Sequence, residues 1–282
     1  MSSRTSRTTP RRKTARPPVA RPIELEPDAG QFARAYDAGR PQVVWTRLVS
    51  DLETPVSAYL KIASGRPMSF LLESVEGGAT RGRYSMIGLA PDIVWRADGN
   101  VAEINRSPAT KPDAFKREPL PTLAALRALL AESAIELPEA VPPMAAGVFG
   151  YMGYDTIRLV EHLPAPRPDV LGVPDMILMR PTVVVIFDSV KDEMTVVTPV
   201  RPTSRQSAGK AYAEARKRLA AAVAALEVSL NDATWIITDS VSTTNTPPMM
   251  NSTISWRTTR ATMPSAAPSA SAPTSPMKTS AG

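Results

Sequence analysis

Residues 71–85, with the sequence LLESVEGGATRGRYS, contain the most informative group of polar side chains in this chain. The apolar run from Met68 to Leu72 is typical of a buried strand. Glu73 and Ser74 follow where that strand is expected to leave the core, and a glycine-rich loop comes after them. Loops at strand ends are where proteins commonly build small-molecule sites.

These side chains have the chemistry of an amino-acid site. A carboxylate beside a hydroxyl, as at Glu73 and Ser74, suits an α-ammonium group. Arg83 and Tyr84, which arrive after the loop, have the groups to hold a carboxylate and flank an apolar side chain. A solvated polar hairpin, whose glycines serve only the turn, explains the same spacing. The residues alone leave both interpretations open.

Two long motifs resemble a known family. The runs LLESVEGGATRGRYSMIG at 71–88 and GVFGYMGYDTIRLVE at 147–161 are similar to the amino-terminal domain of anthranilate synthase component I, the chorismate-using first enzyme of tryptophan biosynthesis. The likeness extends over roughly residues 25–230. It implies that Glu73 and Ser74, and with them Arg83 and Tyr84, belong to a feedback site for L-tryptophan.

The resemblance implies regulation rather than catalysis for this chain. In the family, the chorismate, magnesium and acid/base residues lie in a carboxy-terminal domain, and nothing after Leu230 resembles it. We therefore assign no catalytic residue, metal ligand or cofactor here, and expect the chain alone to be inactive. The family enzyme makes anthranilate and pyruvate from chorismate and ammonia, so the expected partner is the glutamine amidotransferase component II. Component I of aminodeoxychorismate synthase and a non-functional truncated product are the alternatives.

Composition divides the chain into residues 1–22, 23–230 and 231–282. The first segment has seven cationic side chains and no acid, a charge of +7, and the last has three cations and two acids, a charge of +1. Because the whole chain carries +6, the middle segment carries −2. The basic character thus belongs to the ends, and it gives no reason to assign nucleic-acid binding to the middle segment.

Both end segments are expected to be disordered. Residues 1–22 form a basic arm without apolar periodicity. Residues 231–282 contain 20 Ser and Thr but no Leu, Phe, Tyr or Glu, so they cannot form an apolar face. Such a mixture is typical of a shifted reading frame in a G+C-rich gene, which predicts a truncated copy of a longer protein. A genuine disordered linker is the alternative.

The remaining composition excludes several classes of function. The chain has no Cys, so disulfides, thiolate catalysis and thiolate metal sites are excluded. The single His162 has no neighbouring metal ligands and is expected at the surface or at a helix cap. No apolar run is long enough to span a bilayer, and we expect a cytoplasmic protein.

The strand pattern predicts an α+β fold with antiparallel sheets and flanking helices, because short turns rather than helices join most strands. Helices are predicted after Asp28, after Thr54 as a cap, over 123–133 with Thr122 as the cap, and over 208–230. Strands are predicted at 42–49, 68–75, 84–89, 92–97, 101–105, 147–151, 181–188 and 193–199, with a tight hairpin at Asp98-Gly99-Asn100 joining 92–97 to 101–105.

The three glycines at 147, 150 and 153 do not form a phosphate loop. A phosphate loop needs a lysine and a hydroxyl at a helix start, and a dinucleotide fingerprint needs a parallel βαβ unit. We expect instead that these glycines allow close backbone approach, that Asp155 caps the following turn, and that Tyr151 and Tyr154 pack near the pocket. Direct ligand contact by this segment is the alternative.

Overall fold

The structure, a computed structural model, describes residues 23–76, 80–164 and 171–228, together with Asp169. The predicted basic arm 1–22 and the predicted tail 231–282 lie outside the described residues. The helices are α1 (Ala29–Asp37), α2 (Pro55–Ile62), α3 (Thr122–Ser133) and α4 (Ala208–Leu226), with a short 3-10 helix at Tyr154–Leu159. The strands are β1 (Gln42–Val49), β2 (Phe70–Glu76), β3 (Thr80–Asp98), β4 (Val101–Asn105), β5 (Lys116–Arg117), β6 (Phe149–Met152), β7 (Met176–Asp188) and β8 (Glu193–Val200).

These strands form one antiparallel sheet in the order β1-β8-β7-β3-β4-β5. Two shorter strands extend it: β2 pairs with the first half of β3, and β6 pairs with the first residues of β7. All the pairs are antiparallel, so the predicted α+β class with antiparallel strands and flanking helices is confirmed.

The sheet is covered on both faces. Helices α1, α2 and α4 lie on one face, which we call the helix face, and their core includes Phe32, Ile87 and Leu219. On the opposite face, which we call the loop face, residues of the segment 135–149 pack over Trp45 and Ile186. A further cluster joins α3 to the paired ends of β3 and β4. Packing on both faces therefore holds the strands, including their ends, in fixed positions.

Side-chain caps stabilise the starts of α1 and α2. The Asp28 carboxylate accepts a hydrogen bond from the Gln31 amide at 2.8 Å, as expected for the cap of α1. At α2, the Thr54 hydroxyl accepts from the Ser57 amide at 3.1 Å, and the Ser57 hydroxyl accepts from the Thr54 amide at 2.9 Å. Each such cap stabilises its helix by about 1 kcal/mol. The predicted cap at Thr54 is confirmed, and the helix predicted after Asp28 begins there.

Two predicted strands, 84–89 and 92–97, are one strand in the structure. The pairing register between β3 and β7 shifts between Pro91 and Ile93, and Ala90 adopts a φ of 51°. The prediction of two strands was wrong because a bulge absorbs the proline without ending the pairing with β7. The next turn, at Gly99-Asn100, joins β3 to β4 as predicted.

Thr122 does not cap α3. Pro121 is the residue at the cap position, and it makes no side-chain cap hydrogen bond. The buried Thr122 hydroxyl instead donates to the Gly99 carbonyl at 2.9 Å, while the Thr122 amide donates to the Asn100 side chain at 3.1 Å. The hydroxyl therefore ties the start of α3 to the β3–β4 hairpin, a long-range contact that helix-start rules do not anticipate.

Candidate functional site

Glu73 and Ser74 lie at an irregularity near the end of β2. Glu73 pairs with Ser85 of β3, but the next pair is Val75 with Arg81, so residues 82–84 of β3 lie opposite Ser74. Both side chains are exposed. Neither the Glu73 carboxylate nor the Ser74 hydroxyl is hydrogen-bonded to another described residue. Their polar groups are therefore open to solvent or to a ligand.

Gly82 permits the close approach of β3 to Ser74. A Cβ atom placed at Gly82 would overlap both the hydroxyl and the Cβ of Ser74. Only glycine lacks that atom, so a larger residue would push the two strands apart at this point. Gly82 therefore leaves the space that the Ser74 side chain occupies.

Arg83 is held by a buried carboxylate. Its Nε and Nη2 atoms donate to Asp188 at 3.1 and 2.8 Å, and the Asp188 side chain is only 9% exposed. The hydrogen bonds from Arg83 lower the pKa of Asp188, and the same contact raises the pKa of Arg83. The guanidinium carbon also lies 4.8 Å from the centroid of the Tyr84 ring. The guanidinium edge that was expected to hold a ligand carboxylate is thus engaged by Asp188.

The strand register separates the four predicted site residues. Glu73 pairs with Ser85, next to the pair of Leu71 and Ile87, both of which pack on the helix face. Tyr84 packs with the core of the loop face. Because side chains alternate between the faces of a sheet, Glu73 is directed to the helix face and Tyr84 to the loop face. The structure groups Arg83 and Tyr84 with Asp188, and it places Glu73 across the sheet from them.

Arg83, Tyr84 and Asp188 line a cleft of about 210 Å³ on the loop face. Strands β1 and β8 and the segment 139–143 complete it, and they contribute residues that the sequence had not indicated: Arg47, Glu139, Lys191, Glu193 and Thr195. Only Arg47 has a local sequence signal: it follows the buried Trp45 by two residues in β1, so its side chain is on the same face of the sheet as Trp45.

Tyr151 and Tyr154 do not pack near this site, contrary to expectation. Tyr151 pairs with Ile177, whereas Tyr84 pairs with Asp188. Ile177 and Asp188 are eleven residues apart, which is about 36 Å along a strand. Tyr154 is 85% exposed. The prediction was wrong because β6 pairs with the opposite end of β7.

In β6, the close approach of β7 restricts position 150 to glycine. A Cβ atom at Gly150 would overlap the carbonyl group of Ile177, so the expected close backbone approach is confirmed at this glycine. Asp155 does not cap the following turn; Gly153 is at the cap position, and the Asp155 carboxylate accepts from Arg158 at 2.6 Å. His162 is exposed.

Within the described ranges, no group of three or more His, Asp or Glu side chains is placed to hold a metal ion. In the same ranges, none of the helices combines the length and the apolar character that a bilayer crossing requires.

Sequence comparison finds relatives that share one name. Anthranilate synthase component 1 of Cereibacter sphaeroides is 52% identical over 188 residues, which cover 67% of this chain and 38% of the relative. The protein of the same name from Thermus thermophilus is 38% identical over 170 residues, covering 60% of this chain and 34% of the relative.

The crystal structure of anthranilate synthase component I from Streptococcus pneumoniae aligns with a TM-score of 0.37 at 19% identity, over 61% of this chain and 35% of that one. No family model matches the chain. The chain spans between 34 and 38% of the length of the two curated relatives, and over that part it is a homologue of anthranilate synthase component 1.

Proposed function

We propose that this chain is the regulatory, tryptophan-binding part of an anthranilate synthase component I. The observation that carries the proposal is the exposed pair Glu73 and Ser74, in a chain that is homologous to an enzyme of that name over 188 residues. A polar hairpin needs only a turn, whereas here Gly82 fits against Ser74 and Asp188 fixes Arg83. The exposed, unbonded Glu73 and Ser74 at a strand end favour a binding site over a turn.

The two exposed groups have complementary roles in this proposal. Because consecutive strand residues point to opposite faces, Glu73 and Ser74 can meet one ligand only at the outer edge of β2, which pairs with β3 alone among the described strands. There the Glu73 carboxylate accepts the α-ammonium group of tryptophan, and the Ser74 hydroxyl donates to or accepts from the ligand's polar atoms. Each charge-assisted contact is worth roughly 1.5 to 3 kcal/mol, whereas immobilising a ligand costs at least about 4 kcal/mol. Because this chain supplies few contacts, we expect millimolar affinity.

The catalytic role of the complete family enzyme is a further part of the proposal. In that enzyme, chorismate and ammonia from a glutamine amidotransferase component II yield anthranilate and pyruvate. The magnesium and acid/base groups of the reaction belong, on the family resemblance, to the part of the relatives that this chain does not span. The chain then contributes regulation and partner contacts. Its relatives named above support the anthranilate branch over the aminodeoxychorismate branch.

The binding test uses 5-fluoro-L-tryptophan observed by fluorine NMR, because the chain's own four Trp residues would obscure a fluorescence signal. We expect the fluorine line to broaden with added protein and to sharpen when unlabelled L-tryptophan displaces the probe. Ser74→Ala and Glu73→Gln are expected to weaken the broadening. Glu161→Gln, which changes an exposed carboxylate near the 3-10 helix, is the matched control and should leave it unchanged.

The same experiment distinguishes a site from nonspecific adsorption. A specific site broadens the L enantiomer of the probe more than the D enantiomer, because ammonium, carboxylate and indole must all be placed correctly. Equal broadening for both enantiomers, or for the chain and its Ser74→Ala variant, would show that these residues form no tryptophan site.

A further inference from the structure

We propose that Arg201, at the carboxyl end of α3, is the centre of a binding site for a small monocarboxylate. Arg201 directly follows β8, and it contacts Ser133, the last residue of α3. The cleft that contains Arg83 includes Glu193 at the other end of β8, eight residues away, which is roughly 26 Å along a strand. The proposed site is therefore separate from that cleft and goes beyond tryptophan binding.

Three arginine side chains converge on the end of α3. Arg106 donates to both carboxylate oxygens of Glu132, at 2.6 and 2.8 Å. Arg180 donates to Glu132 at 3.3 Å and to the Ser133 hydroxyl at 3.4 Å. Arg201 donates from Nη2 to the Ser133 carbonyl at 2.7 Å. Two consecutive residues of α3, Glu132 and Ser133, therefore bring the three guanidinium groups close together.

The carboxylates in this group do not balance the arginines. Among the described residues, only Asp92 and Glu132 form ion pairs with them: Asp92 with Arg180, and Glu132 with Arg106 and Arg180. Three cations and two carboxylates leave a net charge of +1, and Arg201 is the arginine without a carboxylate partner. The carboxyl end of a helix has only about half a negative charge, so α3 offsets this excess in part.

Arg201 is partly removed from water without an anion to compensate its charge. Its Nε atom is buried and has no hydrogen-bond partner among the described residues. Burial, together with the neighbouring Arg180, lowers the pKa of Arg201 to about 10. An ion pair stabilises a guanidinium group more strongly in such surroundings than in water, because the lower dielectric constant strengthens the attraction between charges. The position of Arg201 therefore favours the binding of an anion.

One edge of the Arg201 guanidinium group is open to such a ligand. Nη2 uses one of its two N–H groups on the Ser133 carbonyl, and the other is free. Nη1 forms no hydrogen bond with described residues and, unlike Nε, it is accessible to solvent. The Nη1 and Nη2 donors lie in one plane, and their spacing matches the two oxygens of a carboxylate. A carboxylate at this edge makes a bidentate ion pair.

The charge balance selects a monoanion. One carboxylate neutralises the excess charge of +1, whereas a phosphate dianion would exceed it and would be repelled by Asp92 and Glu132. The same excess positive charge repels cations. Acetate is a simple probe of the favoured class, because it has one carboxylate and no other polar group.

The test titrates the full chain with sodium acetate, and sodium chloride keeps the ionic strength constant. The Nε–Hε signal of Arg201 is followed in nitrogen–proton NMR spectra and is assigned by its loss in Arg201→Lys. We expect a saturable shift with a Kd of about 10 mM, and a Tm raised by about 3 to 6 °C at about 100 mM acetate. Phosphate should shift the signal at least about tenfold less at equal concentration. Absence of a shift with acetate, or equal shifts with phosphate or chloride, would overturn the proposal.

Variants locate the effect. Arg201→Met removes the charge and should abolish the rise in Tm with acetate. Arg218→Met is the matched control and should leave the rise unchanged: Arg218 is also half-buried without an ion pair to described residues, but its Nε donates to the Thr198 hydroxyl at 2.9 Å. If Arg201→Met does not fold, Arg201→Lys keeps the charge, loses the paired donors and should at least halve the rise. An undiminished rise in the folded Arg201 variant would refute the assignment.

The two proposals fail in different ways. Acetate has neither the ammonium group nor the indole ring of tryptophan, so its titration tests the Arg201 site alone. A shift of the Ser74 amide with L-tryptophan, without a shift of Arg201 with acetate, leaves the tryptophan proposal standing and overturns this one. The reverse result supports the carboxylate site and contradicts the tryptophan site.

Discussion

Removing the carboxylate of Asp92 should destabilise the fold more than any change to an exposed ion pair. Asp92 accepts two hydrogen bonds from Arg180, from Nε and from Nη2, each at 2.8 Å. The Arg180 side chain is only 8% exposed. Asp92→Ala therefore leaves a guanidinium group in the interior without its main partner.

The size of the effect follows from the exposure of the two partners. Breaking a fully buried ion pair costs about 3 to 5 kcal/mol. The Asp92 side chain is 41% exposed, and Arg180 retains weaker contacts with Glu132 at 3.3 Å and Ser133 at 3.4 Å. These two facts reduce the expected loss to about 2 to 3 kcal/mol.

A second ion pair of the same sheet provides the control. Arg96 and Glu103 pair across β3 and β4 with side chains 38% and 34% exposed. Glu103→Ala should therefore cost no more than about 1 kcal/mol. Both variants are compared with the parent chain by urea denaturation, with circular dichroism as the signal.

The double variant sharpens the test. If the loss comes from an uncompensated buried charge, replacing Arg180 by Met in the Asp92→Ala background should recover part of the stability. A cost for Asp92→Ala no larger than that for Glu103→Ala would refute the reasoning, and so would a further loss in the double variant.

Four other outcomes are expected. Gly82→Ala should destabilise the chain and weaken tryptophan binding, because the added methyl group displaces Ser74. Gly209→Ala, at a helix position with open space around it, should stabilise the chain by about 0.4 to 1 kcal/mol. Thermal melts of both variants measure these changes. Arg83 lowers the pKa of Asp188 in the folded chain. The Asp188 carboxylate therefore contributes its full stabilisation above its unfolded pKa of about 3.9, and this stabilisation is lost as the pH falls from there through the lower folded pKa. Melting temperatures measured at acid pH should fall less steeply in Asp188→Asn. Tyr154, 85% exposed beside other apolar residues, should promote association, and Tyr154→Ser should shift size-exclusion profiles towards the monomer. The chain alone should form no anthranilate from chorismate, magnesium and ammonium, and fluorescent product above a no-protein control would contradict the proposed division of roles.

Local sequence signals predicted the parts of the fold that depend on local contacts. The caps at Asp28 and Thr54 were predicted because each side chain bonds to an amide three residues away. The Gly99-Asn100 turn was predicted because the strands on either side are adjacent in sequence. The continuity of β3 was missed because it depends on β7, whose pairing residues are about 90 positions distant in the chain.

The site was harder to predict for the same reason. The sequence drew attention to Glu73, Ser74, Arg83 and Tyr84, but it could not show that three residues of β3 lie opposite Ser74 and that Glu73 is directed to another face. It gave no means of joining Arg47 to Thr195, since these residues meet only through the register of β1 with β8. Pairing between distant strands decides which polar side chains share a cleft.

The most direct test of the central claim is a titration of the chain with L-tryptophan, followed through the amide signals of β2 and β3. If this chain carries the tryptophan site, millimolar ligand should shift the amides of Ser74 and Gly82, and Ser74→Ala should reduce these shifts while leaving the β6 signals unchanged. Absence of any shift at about 10 mM tryptophan, or the same shifts in Ser74→Ala, would contradict the account and return the polar pair to the role of a solvated turn.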